Sequence, residues 1–595
     1  MKKKIAILSL LALCATSGMA QSYREQFEAF KKESAKTYND FRNEINKKYA
    51  DFIRQHWPER EVLPALEKPL EDKPVPPVFF PEEDLNKEYE GEALPYVKIP
   101  VVEPAPQPLP IIPIDAIPIT KPIFALNDDK RLEVKPVDID AKPIVPWNAT
   151  TINKPVIDAK PGEDLAVKPV DIDVRPIVPK DGTTINKPVI DGKQEDRGVA
   201  VKPIDIEVKP IPVEKFFAFK FWDTEGMVRL DENHRFKLKD CSNNSIADAW
   251  EHCSGDNYRN LIYDCLKLRE TYQLCDWAYL NMLQDLSRAF FGGECNEATF
   301  LTAYLYCQSG YKIRMASSEQ GKLYILVASD YFIYDNPPFE IDGVFYFAFL
   351  PDVEDKSIAN SLRLNVCQAA LQDEQTLSLL IPYAPKLEVV KSDARKLVSL
   401  HNKEMKALVS TNKNRVDFFN HYPSSYVNGD FMTRWAMYAN TPLSEEVKAE
   451  FYPKLKESIE GCSKAKAVSI LLEFCQSAFE YKFDEEVWGE DRAFFAEETL
   501  YYPYSDCEDR SILFSRLVRD LVGLDVLLVY YPGHLLTAVH FPEDAQLDAE
   551  LRGEYFSLPC DGRNFVICDP TGLYAPIGWN NDAYKNESAN VILLE

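Results

Sequence analysis

Three residues whose types together make a thiol nucleophile and its base stand in order near the C-terminus: Cys507, His534 and Asp569. A thiol needs an imidazole to accept its proton, and the imidazole needs a carboxylate to fix its tautomer and orientation. Cys507 lies in YSDCEDRSILFSRLVRDLVG, where Ile512, Leu513, Leu517, Val518 and Leu521 recur at the spacing of one apolar helix face. The thiol therefore falls in a first helical turn, where unpaired backbone N–H groups and the positive end of the dipole favour thiolate. A free thiol with its pKa near ~8.5 is expected to gain reactivity there. Gly523 suits a left-handed stop to the helix, and three β-type runs follow: DVLLVYYPG, HLLTAVHF and RNFVICDPTG. His534 opens the second run and Asp569 ends the third.

Each residue alone has an ordinary explanation. A cysteine at a helix start packs or forms a disulfide, a histidine after Pro532-Gly533 is a turn residue, and an aspartate before Pro570 is a turn former. Their order on successive elements is what points to chemistry. His540 is a rival base, since it shares strand parity with His534 and faces the same way about 20 Å further along at ~3.3 Å per residue. The spacing leaves both histidines open.

The pieces SDCEDRSILFSRLV, the Gly523 turn, YPGHLLTAV and ICDPTG resemble the transglutaminase-like superfamily over residues 463 to 580. The resemblance implies an α+β core in which helices pack on an antiparallel sheet, with Cys507, His534 and Asp569 as the triad and His534 preferred to His540. It implies acyl transfer through a thioester at amide or peptide bonds of a peptide or protein substrate. Hydrolysis is favoured over crosslinking, because no acceptor site is legible. The helix from Lys464, AKAVSILLEFCQSAFEY, becomes the wall behind the Cys507 helix. Negative charge on the former carbonyl oxygen needs a donor, for which the Cys507 backbone N–H is the first candidate and Gln476 the second. Tyr501, Tyr502 and Tyr504 are candidates for an aromatic substrate wall, or equally for core. The alternative, of a different class, is a non-catalytic envelope scaffold or binding protein that keeps the fold as an interaction module.

The elements upstream repeat this plan. NEATFLTAYLYCQSGYKIRM has the helix, the glycine and the following strand of the Cys507 segment, with Gly310 matching Gly523. GKLYILVAS lines up with GHLLTAVHF, which sets Lys322 against His534, and FIYDNP lines up with VICDPT, which sets Asp335 against Asp569. Counting from the glycines sets Glu294 against Cys507, with Cys295 one place off. Residues 216–352 read as an α+β domain and a worn second copy that lacks the imidazole, and residues 353–462 as a mixed middle region. Within the latter, RKLVSLHNKEMKALVST and DFFNHYP look strand-like and SEEVKAEFYPKLKESIEG helical. His401 and His421 have no partner spacing and read as ordinary histidines.

The 595 residues exceed one domain, and 46% hydrophobic with 12% aromatic residues suffices for large cores. A net charge of -26 repels phosphate backbones and argues against nucleic acid. Residues 1–20 have the lysines, apolar run and small-residue end of a signal peptide, which predicts export to the periplasm, cell surface or medium. Cys14 is preceded by a leucine where lipidation wants a small residue. No later apolar run is long enough for an integral membrane span. No close Cys pair has metal-ligand spacing, so neither metal nor other cofactor is expected, and buried free thiols are favoured over disulfides. Residues 21–61 carry an apolar stripe at helical spacing. From Pro58 to Pro212 lie 28 of the chain's 42 prolines, and residues 62–215 contain 33- to 34-residue repeats starting at Val134, Val167 and Val201. So much proline excludes regular helix and leaves a solvated spacer or a strap on the body.

Overall fold

The computed structural model describes residues 40–68 except 56 and 61, residue 75, the backbone of 96–98, and 215–349, 363–367, 374–400, 405–551, 555–581, 584 and 587–594. The leader, Cys14, residues 21–39, His401 and the proline-rich repeats lie outside these. The chain divides into Met1–Thr120 with Glu214–Glu595, and Lys121–Val213, the latter wholly outside the described residues.

A helix over 40–53, α1, docks its stripe on the body: Tyr49, Ala50 and Ile53 are buried, and Arg42 donates to Gln308 Oε1 at 2.8 Å. The short strand β1 (Glu59–Arg60) and the edge strand β2 (Tyr96–Lys98) follow. The expected hairpin forms from β3 (Phe216–Phe221) and β4 (Thr224–Arg229). The helices α2 (Asn243–Cys253), α3 (Asp256–Thr271), α4 (Asp276–Phe291) and α5 (Asn296–Gln308) come next. A run of strands comprises β5 (Ile313–Ser318), β6 (Leu323–Ala328), β7 (Phe332–Ile333), β8 (Pro338–Ile341), β9 (Val344–Ala348) and β10 (Leu364–Val366).

The middle region holds a hairpin, β11 (Arg395–Val398) with β12 (Lys406–Val409), then α6 (Lys413–Asn420), β13 (Ser425–Tyr426), α7 (Thr433–Asn440) and α8 (Glu445–Ile459). DFFNHYP is thus not a strand. Its first four residues end α6, because the Asn412 side chain caps that helix through the Asn414 N–H and the helix buries Phe418 and Phe419. The last segment runs α9 (Lys464–Ser477), β14 (Glu480–Tyr481), α10 (Asp484–Val487), α11 (Ala496–Tyr501), β15 (Tyr504–Ser505), α12 (Cys507–Leu521), β16 (Val526–Tyr531), β17 (His534–Val539), β18 (Ser557–Cys560), β19 (Arg563–Cys568) and β20 (Asn590–Leu593).

The protein is α+β, and its two six-stranded sheets have the same plan. One runs β1-β10-β5-β6-β9-β8 and the other β2-β20-β16-β17-β19-β18, each entered from a helix, α5 or α12. All pairs are antiparallel except β2 with β20. The register agrees as well: the row Ile313, Val327, Phe347, Pro338 across the first sheet is matched by Val526, Val539, Val566, Ser557 across the second. Lys322 then stands where His534 stands, as expected. Asp335 does not match Asp569. It sits between β7 and β8 at φ 61, because β7 leaves the sheet to pair with β13, and the register position of Asp569 falls on Leu350, outside the described residues. Helix caps likewise set Asn296, rather than Glu294 or Cys295, against Cys507.

Described pieces of the proline-rich region lie on the body. Leu63 N–H donates to Pro338 O at 3.2 Å, Lys68 pairs with Asp491 at 3.0 Å, and Val75 N–H donates to Gly533 O at 3.0 Å. Among the described residues no helix is long and apolar enough to cross a membrane, and no disulfide joins the described cysteines.

Candidate active site

Cys507, His534 and Asp569 come from α12, the start of β17 and the end of β19, and each is 4% exposed. Asp506 caps α12, and its own N–H donates to Asp509 Oδ2 at 3.2 Å, so the cap box fixes where Cys507 enters the helix. One turn on, Ser511 Oγ donates to Leu535 O at 2.9 Å and ties α12 to β17. Pro532 presets a turn corner and Gly533 takes φ 77, which returns the chain so that His534 pairs with Tyr531. The imidazole is thereby delivered to the start of an inner strand.

His534 Nε2 lies 3.0 Å from Asp569 Oδ2. Asp569 Oδ1 accepts from Thr571 N at 2.9 Å, Thr571 Oγ1 at 2.6 Å and Gly572 N at 3.3 Å. Burial pushes the Asp569 carboxyl up, but the His534 ring and the Thr571 donors outweigh it and hold the group below its ordinary range. The ionised carboxylate therefore accepts the Nε2 proton and leaves Nδ1 as the basic nitrogen. That Nδ1 is buried and has no hydrogen-bond partner.

The thiol does not bond to the imidazole here. Cys507 Sγ donates to Glu508 Oε2 at 3.1 Å. The expected gain in acidity at the helix start is also reversed: burial pushes the thiol well above its ordinary value, the Glu508 and Asp506 charges add to this, and the Leu535 N–H opposes it. Burial, joined by the two carboxylates in the cap and first turn, overcomes the half-charge of the dipole.

Comparison with family models, with curated proteins and with solved structures returns no match.

The other expected site residues are placed differently. Gln476 Nε2 donates to Asp569 O at 2.8 Å and Ala575 O at 2.9 Å, which spends both amide hydrogens on the loop that carries Asp569. It is a clamp on that loop and has no donor left for an oxyanion. Tyr502 donates to Asn420 Oδ1 at 2.8 Å and packs with Trp488, Phe494 and Tyr501, while Tyr504 lies under the Lys482 ammonium at 3.8 Å. The ring beside the thiol is instead Tyr481, whose hydroxyl is raised by burial and then by the charge of Cys507. The ring beside the imidazole is Tyr584, stacked on His534 at 5.5 Å and on Tyr531 at 4.7 Å. Sequence reasoning missed both, since Tyr481 arrives only through the two-residue pairing of β14 with β15 and Tyr584 from the irregular tail. His540 is at the far end of β17 with Nδ1 2.9 Å from Asn564 O, and His421 is exposed with Nδ1 2.7 Å from Asp417 O. None of the three site residues lines the cleft of about 600 Å3 between Trp222, Trp277, Tyr334 and Arg492.

Proposed function

We propose that this is an exported cysteine acyl-transfer enzyme whose catalytic module, residues 463–595, is transglutaminase-like. The observation that carries the reading is the His534 ring, anchored through Nε2 to Asp569 and left with a buried, unbonded Nδ1. An orphaned buried nitrogen is costly, and a base awaiting a proton is a reason to keep one. The thiol waits in protonated form on Glu508. When a substrate carbonyl arrives, Cys507 turns from Glu508 to Nδ1, the imidazole takes the proton, and sulfur adds to the carbonyl carbon. Collapse of the tetrahedral adduct expels the amine, which collects the proton from His534 and leaves a thioester. Water then resolves the thioester by the same base, with an amine as the competing acceptor. The Cys507 backbone N–H at the α12 start is the donor available to the oxyanion.

The second reading, a binding module, draws on the thiol's bond to Glu508 and its raised pKa. Incubation of the chain with glutamine-containing peptides, with and without a fluorescent primary amine, separates the two. The enzyme reading expects ammonia or new peptide ends lost in Cys507→Ala, with amine incorporation as the minor product. Equal product from wild type and Cys507→Ala removes it.

A further inference from the structure

The cleft that the thiol, imidazole and carboxylate leave unused has walls with a chemistry of their own, and we propose that it binds a neutral oligosaccharide. Its volume of about 600 Å3 is in the range of small-ligand sites. Trp277, Asn281, Gln284 and Arg288 give it one face of α4 at helical spacing. Trp222 comes from the β3–β4 turn, Tyr334 and Asn336 from the β7–β8 connection, and Phe419 and Asn420 from the end of α6. Segments far apart in the chain thus converge on aromatic rings and side-chain amides.

Trp222 is the residue that most needs a reason. With Asp223 it makes the two-residue turn between β3 and β4, at φ 43 and 55. Such a turn takes Asn and Gly, and an indole in the left-handed region is strained. Phe418 holds the ring edge-to-face at 5.2 Å, and the half-buried side chain lines the cleft. Strain at a bulky residue marks a position where the side chain has a use. The amides are set in place as well. Asn281 Nδ2 donates to Trp277 O at 2.7 Å and Asn336 Nδ2 to Ala348 O at 2.7 Å, which leaves each Oδ1 to accept. Asn420 Oδ1 accepts from Tyr502 Oη at 2.8 Å, which leaves its NH2 to donate. The Gln284 side chain makes no hydrogen bond among the described residues.

Charge selects against an ionic ligand. Each lysine and arginine of the wall is already matched: Lys68 and Arg434 pair with Asp491 at 3.0 and 3.6 Å, Arg492 with Glu498 at 2.6 Å, and Arg288 with Glu294. A charged group would have to break one of these pairs, and a neutral one would not. A pyranose offers what the walls complement, an apolar C–H face for a ring and a rim of hydroxyls for amide donors and acceptors. The shape suits a chain of sugars. Gln284 and Arg288 also line a second cavity, of about 560 Å3, which includes Asn296, Thr299 and Lys322 at the start of α5 and β6. The two cavities adjoin along α4, and the second lies where the plan of the first sheet sets Asn296 and Lys322 against Cys507 and His534.

The test presents the amine-labelled full chain with arrayed neutral and acidic glycans, then follows the best neutral ligand in solution by calorimetry and tryptophan fluorescence. Saturable binding is expected, tighter for a tetrasaccharide than for its monosaccharide. Trp222→Ala and Gln284→Ala should each weaken it by about tenfold or more. Cys507→Ala should bind as wild type, so the outcome is separable from that of the thiol chemistry. Should Trp222→Ala fail to fold, Gln284→Ala, which removes only a half-buried amide, still decides. A wild-type chain that binds no neutral glycan at about 10 mM overturns the proposal. So does a preference for acidic glycans, or an affinity unchanged in the folded variants.

Discussion

At His534 the two ring nitrogens are in different situations, and the proposed chemistry follows from the difference. Nε2 is held by Asp569, so Asp569→Asn should present the wrong tautomer to the thiol and lower kcat/KM by about 10^3- to 10^4-fold with the fold retained, measured by steady-state kinetics alongside circular dichroism. The same carboxylate contributes to stability. Its pKa is depressed in the folded chain, so the contribution is complete above the unfolded value of about 3.9 and is lost as pH falls through the folded value. The melting-temperature gap between wild type and Asp569→Asn should therefore close below about pH 4. At Cys507, Glu508 holds the thiol proton and its charge raises the thiol pKa. Glu508→Gln should speed alkylation of Cys507 at pH 8 by about tenfold, the effect of one pKa unit, read by peptide mass spectrometry. The identities of these residues were legible in the sequence because thiol, imidazole and carboxylate each sit at an element boundary that pattern marks. The reversal of the thiol's acidity was not, although Asp506 and Glu508 adjoin it. The dipole of a helix start is outweighed here by burial, which no local pattern announces, and by the charges of the first turn.

At the scale of elements, α12, β16 and β17 were legible because apolar period and Pro-Gly punctuation agree along one continuous stretch. Where an element forms through distant partners the sequence reading failed. β14 and β15 are two residues each, exist only as a pair, and bring Tyr481 to the thiol unannounced. DFFNHYP looked like a strand because its aromatic residues cluster, whereas Asn412 starts a helix just upstream. Gln476, on α9, is the element-level clamp on the Asp569 loop. Gln476→Ala leaves two carbonyls without donors and should cost about 1–3 kcal/mol, seen as a lower denaturant midpoint.

Across the whole molecule the two sheets repeat one strand order and one register, and only the second keeps a histidine at the first position after its central turn. The helix, glycine and strand succession made the repeat legible up to Lys322. Beyond it, β7 interrupts the match, which is why Asp335 misled. The N-terminal helix is part of the same body, and Ile53, fully buried in it, should cost about 2–5 kcal/mol as Ile53→Ala, measured by thermal or denaturant unfolding. The proposed function turns on one event, transfer of the Cys507 proton to His534. It is tested most directly by the rate of Cys507 alkylation by iodoacetamide in the full chain, resolved by peptide mass spectrometry, in wild type and His534→Ala. Modification of Cys507 slowed about 100-fold or more when the imidazole is removed is the predicted result. Equal rates in the two proteins would contradict it.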